Sequence, residues 1–174
     1  MSYRSGEKLD DSKKNFCNFH DSYLRQYIQQ ADTKAAWLFA ASSATIIWLA
    51  SKPEYLGVSK PFRLCDVNLF YVMSMIMLTL SSFFAFNVIR PRLIKEKNKG
   101  IIYFGSVAKY YDNLDYIEEI NKYSEKDIFH ARLSSQYYMS VICNKKYINL
   151  RLGVYSALLG FFISAILHIY YTHF

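Results

Sequence analysis

Three long runs without a single Asp, Glu, Lys or Arg interrupt an otherwise polar chain: residues 35–51, 67–89 and 152–171. A bilayer's hydrocarbon is about 30 Å thick, and an α-helix needs roughly 20 apolar residues to cross it. Each run has about that length and is flanked by charge. The pattern therefore predicts an all-α membrane protein with three transmembrane helices. Ahead of the first run, Phe16, Phe19, Tyr23, Tyr27 and Ala31 recur every three or four residues, which is a helical period with one apolar face. No Pro or Gly lies between Lys8 and Pro53. A long N-terminal juxtamembrane helix is thus predicted to continue directly into the first span.

The remaining boundaries follow from breakers and charge. Residues 1–15 are charged and poor in large apolar side chains, and read as a flexible tail. Residues 16–34 are the juxtamembrane helix and 35–51 the first span. Residues 52–66, with Pro53, Gly57 and Pro61, form a short extracytoplasmic loop. The second span, 67–89, ends at Arg90-Pro91-Arg92, and a charged linker follows. Residues 90–151 make a cytoplasmic helical region between the second and third spans, and 152–171 is the third span. In that region Ser106 is a plausible N-cap for a helix bearing Val107, Tyr110, Leu114, Ile117 and Ile120. Ser124-Glu125-Lys126-Asp127 resembles a capping box and should start a second, long helix that runs on into the third span. Ile101-Ile102-Tyr103-Phe104 is too isolated to be a strand.

Charge fixes the orientation. The chain has 174 residues and a net charge of +7, concentrated beside the spans: residues 90–151 hold twelve Lys or Arg against seven acids. Juxtamembrane cations stay on the cytoplasmic side and sit well on anionic lipid. The N-terminus and residues 90–151 are therefore expected in the cytoplasm, with the C-terminus outside. A lipid bilayer, rather than a nucleic-acid polymer, is the partner these cations suggest. The first 30 residues have no apolar core of the signal-peptide kind, so the first run is expected to remain as an anchor.

Candidate chemistry adds little of the enzymatic kind. His20, His130, His168 and His173 are scattered, and no nucleophile pattern, Walker loop or dinucleotide fingerprint is present. Glu118 and Glu119 are adjacent on a helix and point about 100° apart, so they do not form a shared-proton pair. Cys17, Cys65 and Cys143 fall in three separate regions with no metal spacing. No catalytic residue, metal or cofactor is expected.

The spans offer more. Ser156, Gly160 and Ser164 lie four apart in the third, and Ala36, Ala40 and Ala44 do so in the first. Small residues at this spacing let helices approach closely in lipid. They suit packing within one subunit or a homo-oligomer with hydroxyls facing a pore. Asp32 and Lys34 sit at the cytoplasmic mouth of the first span. Lys34 can snorkel to lipid phosphate. Asp32 is repelled by anionic lipid and is better placed against a Lys or Arg from residues 90–151. In Tyr103-Phe104-Gly105-Ser106, with Lys109 one turn on, aromatic faces stand beside a helix start, where a base could stack and an anion bind.

Two stretches together carry a family resemblance. Tyr27-Ile28-Gln29-Gln30-Ala31-Asp32-Thr33-Lys34-Ala35-Ala36 runs straight into a span. Ile102-Tyr103-Phe104-Gly105-Ser106-Val107-Ala108 follows the second span. In this order and size of chain, the pair resembles the Pycsar effector transmembrane family over about residues 20–171. The resemblance implies a bacterial inner-membrane effector of anti-phage defence. Such an effector senses a cyclic pyrimidine mononucleotide (cCMP or cUMP) from a cognate cyclase and impairs the membrane, causing abortive infection. On that basis the first-choice ligand residues are Tyr103, Gly105, Ser106 and Lys109, with Arg132 and Lys34 as further phosphate partners. The residues alone also suit a membrane anchor that recruits a cytosolic partner, or a ligand-independent pore-forming toxin.

Overall fold

A computed structural model describes residues 11–52, 67–91 and 100–173. Most of the predicted tail, nearly all of the 52–66 loop with Cys65, and most of the charged linker lie outside the described residues. Among those described there are five helices and no strand: α1 (Asp11–Ala50), α2 (Val67–Ile89), α3 (Phe104–Val107), α4 (Asn113–Asn121) and α5 (Glu125–His173). Two of them contain stretches long and apolar enough to cross a membrane, Asn68–Ile89 and Glu125–Thr172. The uncharged part of α1 is shorter.

In each long helix the buried positions alternate by three and four residues. In α2 they are Tyr71, Ser74, Leu78, Ser81, Ala85 and Val88. In α5 they include Cys143, Lys146, Leu150, Ala157, Ser164 and Leu167. A mean step of 3.5 residues is the seam of a left-handed helical bundle.

The α1 seam runs beside the aromatic row rather than along it. Cys17, Leu24, Ala31, Ala35, Ser42 and Leu49 are buried, whereas Phe16, Phe19, Tyr23 and Tyr27 are exposed. The aromatic row does share a helix face, and its rings pair along it: Tyr23 and Tyr27 have centroids 4.4 Å apart. It is not the face that packs. Periodicity detects a common face without saying which way it points.

The chain divides into two compact units: Met1–Tyr27 with Pro91–Cys143, and Ile28–Arg90 with Asn144–Phe174. In the first, polar side chains join α1 to α5, which run parallel. Lys14 pairs with Glu125. The Arg132 guanidinium donates to Asn18 Oδ1 at 2.7 Å. Gln136, itself buried, donates to the Cys17 carbonyl at 2.7 Å and accepts from His20 Nδ1 at 3.2 Å.

The capping box forms as its residues predict. The Asp127 amide donates to Ser124 Oγ at 3.2 Å, and the Ser124 amide donates to Asp127 Oδ2 at 3.1 Å. The Ser124 hydroxyl donates to the same carboxylate at 2.6 Å. This hydroxyl bond, followed by the amide, holds the Asp127 pKa below its ordinary value.

The second unit is a three-helix bundle, α2 antiparallel to α1 and α5. Its seam is closed by small residues and hydroxyls. The Ser42 and Ser81 oxygens lie 3.0 Å apart. Those of Ser74 and Ser164 lie 2.6 Å apart, and both hydroxyls donate to the Gly160 carbonyl. The Tyr71 hydroxyl reaches the Leu49 carbonyl at 3.4 Å. A Cβ on Gly160 would stand 2.8 Å from Leu78 Cγ and 3.3 Å from its backbone nitrogen, so this crossing requires glycine. The outer faces are strongly apolar, with Phe70, Ile76, Phe83, Phe86, Leu158 and Phe162 exposed. Trp37 and Trp48 also lie on the outside of α1.

Candidate functional site

Two places combine geometry with chemistry. In the first unit a cleft of about 220 Å³ opens between residues 100–103 and the start of α5. Tyr103, Tyr123 and Tyr138 supply aromatic walls, Ser134 and Ser135 supply hydroxyls, and Gly100 lies at its edge. The 100–103 strip is held from α4, where the Tyr116 hydroxyl donates to the Ile101 carbonyl at 2.9 Å. Gly105 makes room for the Tyr103 ring: a Cβ there would lie 2.7 Å from Tyr103 Cε1. Aromatic faces with a few hydroxyls and backbone groups suit a planar heterocycle bearing polar edges.

The helix start predicted at Ser106 is absent. Ser106 is buried inside the four-residue α3, and its amide donates to the Tyr103 carbonyl at 2.9 Å. The longer helix begins at Asn113, capped by Asp112, whose carboxylate accepts from the Asp115 amide at 2.8 Å. An Asp with another acid three residues on is the stronger start, since both carboxylates favour the helix N-terminus. The exposed amides imagined at Ser106 therefore do not exist as an anion site.

Of the ligand residues expected from sequence, only Tyr103 lines the cleft. Gly105 supports it from behind. Lys109 is exposed, Arg132 is engaged with Asn18, and Lys34 is an exposed residue of the other unit. Sequence reasoning missed Tyr123, Ser134, Ser135 and Tyr138. Their signal was the row Ala131, Ser134, Ser135 and Tyr138 on α5, a small and polar stripe at helical spacing with an aromatic end.

The second place is the charged end of the three-helix bundle. Lys146 has a side chain only 6% exposed and forms an ion pair with Asp32, whose side chain is 39% exposed. The same ammonium donates to the Val88 carbonyl at 2.7 Å. Asp32 thus takes a cation from residues 90–151, the partner expected for it from the sequence. Ala31, Ala35, Ala85, Val88 and Leu150 form a buried apolar cluster on the same three helices. The two small-residue stripes have different fates. Gly160 and Ser164 are spent on α2, and Ser156 bonds its own helix at the Leu152 carbonyl. Ala36, Ala40 and Ala44 face outward.

Comparison with known proteins adds an independent finding. The sequence profile described as the Pycsar effector protein domain matches residues 18–171. Among curated proteins, the chain is 22% identical over 149 residues to the Pycsar effector protein SaPycTM of Staphylococcus aureus, spanning 86% of this chain and 90% of that one. No solved structure matches the chain significantly.

Proposed function

Because the chain belongs to the Pycsar effector family, and is thereby an effector of anti-phage defence, we propose that it is a non-enzymatic, cyclic-nucleotide-responsive protein of the bacterial inner membrane. In this reading a cognate cyclase makes cCMP or cUMP on infection. The nucleotide binds the first unit, and the second unit, as a homo-oligomer, then impairs the membrane and aborts infection.

The observation that carries the ligand half is the aromatic and hydroxyl-lined cleft at residues 100–138. A pyrimidine can lie against Tyr103 or Tyr138, and its polar edges can meet Ser134 and Ser135.

The membrane half is supported by depth matching. α1 touches its neighbours at three levels: Asp32 with Lys146, Ser42 with Ser81, and Leu49 with Tyr71. If α2 and α5 cross the bilayer, residues 35–50 of α1 lie at the same depth, which gives three spans. With three crossings the termini lie on opposite sides, and the excess of cations in residues 90–151 favours the cytoplasm for that region and the N-terminus.

The test is equilibrium binding of labelled cCMP and cUMP to the purified full chain, with dye uptake by cells that co-express a cyclase. One nucleotide should bind, Tyr103→Ala and Ser135→Ala should weaken it, and dye should enter only with the cyclase. Failure of both nucleotides to bind, with cells staying dye-tight, overturns the reading. Leakage on expression alone would point to a ligand-independent pore, and harmless expression with a co-purifying protein to a scaffold.

A further inference from the structure

A buried ammonium must be paired, or it destabilises the state that holds it. Lys146 meets that demand with partners from both other helices: the Asp32 carboxylate of α1 and the Val88 carbonyl in the last turn of α2. A cation at a helix C-terminus also complements its dipole. One side chain of α5 therefore ties all three helices of the second unit together. Elsewhere that unit is held by hydroxyls, small residues and apolar contacts, which can slide or separate by degrees. The Lys146 junction is different: drawing α1 away from α5 leaves the buried ammonium without its anion, and drawing α2 away costs it the Val88 carbonyl.

Its location sharpens the point. The chain passes between the two units three times, at Tyr27–Ile28, Arg90–Pro91 and Cys143–Asn144. Asp32, Val88 and Lys146 each lie within four residues of one of these crossings. We propose that the Asp32–Lys146–Val88 junction is the latch that keeps the three-helix bundle closed at rest, and that its release is the step that opens the bundle. The latch rests on the effector reading only for what opening does to a cell. The closed state itself stands on the geometry.

Hydrogen exchange of the full chain in lipid nanodiscs reads the latch directly, and dye uptake by cells lacking any cyclase reads its consequence. In Asp32→Asn and Lys146→Met, amides around residues 31–38 and 146–150 should exchange about a hundredfold faster. Those around residues 17–24 and 132–136 should keep their parental rates, and Lys146→Arg should stay close to parental throughout. Cells carrying the first two variants should take up dye without a signal. Parental exchange in both variants, or equal acceleration along the whole chain, overturns the latch. Should the single variants fail to accumulate in membranes, Lys146→Gln, which keeps an N–H donor but drops the charge, takes their place: local acceleration supports the latch and parental exchange overturns it. Local acceleration in cells that remain dye-tight leaves the latch standing and removes the membrane-damage reading instead.

Discussion

The two units hold α1 against α5 by different means. In the first, α1 and α5 are joined by Lys14–Glu125, Arg132–Asn18 and the Gln136 amide, with aromatic rings left exposed. In the second, the same two helices and α2 meet through serine hydroxyls, alanines and Gly160 as well as buried Leu49, Leu78 and Leu167, while many other large apolar side chains face outward. Apolar burial drives packing in water, whereas in lipid close backbone approach and hydroxyl contacts carry more of it, and the second seam supplies both. The comparison teaches where substitutions should hurt, and each of the following would sharpen or break it.

The largest effect should come from Asp32→Asn. It leaves the buried Lys146 ammonium without its anion, at a cost of about 3 kcal/mol. A detergent-unfolding titration of the full chain should record it, and a loss no larger than that of a surface carboxylate would contradict the junction. Next is Gly160→Val, which drives a branched side chain into Leu78 and its backbone. Overpacking of this kind costs about 2 kcal/mol, visible in the same titration, whereas Ala44→Val on the outward face of α1 should be nearly silent. Ser74→Ala removes contacts to Ser164 and to the Gly160 carbonyl and should cost about 0.6–1.7 kcal/mol.

The smallest effect belongs to the water-exposed side. Ser124→Ala removes half of the capping box, at about 0.5–1 kcal/mol of stability at the start of α5. The Asp127 pKa is depressed by the Ser124 hydroxyl, so its contribution is fully present above the ordinary carboxylate value. It is lost as the pH falls through the lowered one. Acid titration monitored by helical circular dichroism should therefore show a shoulder below the ordinary carboxylate range in the parent. Ser124→Ala should move that shoulder to higher pH.

Local rules made part of this legible. The Ser124–Asp127 box spans four residues and needs no tertiary information. Asp32 could be assigned a cationic partner from sequence because a carboxylate at the edge of hydrocarbon demands one. Three features were hidden, each for a physical reason. The α1 packing face was obscured by aromatic residues on a neighbouring face, since Phe16 and Tyr23 carry the same period as Cys17 and Leu24. The break before α4 was missed because Ser106 is an acceptable cap until Asp112 and Asp115 are weighed against it. The cleft had no sequence signature as a whole, because residues 100–103 and Tyr138 are brought together only by tertiary structure.

The chain's two tryptophans, Trp37 and Trp48, stand on α1 eleven residues apart, about 16 Å along the helix axis. Trp37 is 75% exposed on the bundle's outer face, and Trp48 is edge-on to the His168 ring. If α1 crosses the bilayer as proposed, each indole reports from its own depth, and quenchers attached at graded positions along lipid tails should dim one before the other. The protein carries its own ruler for measuring how far α1 dips or tilts when the effector fires.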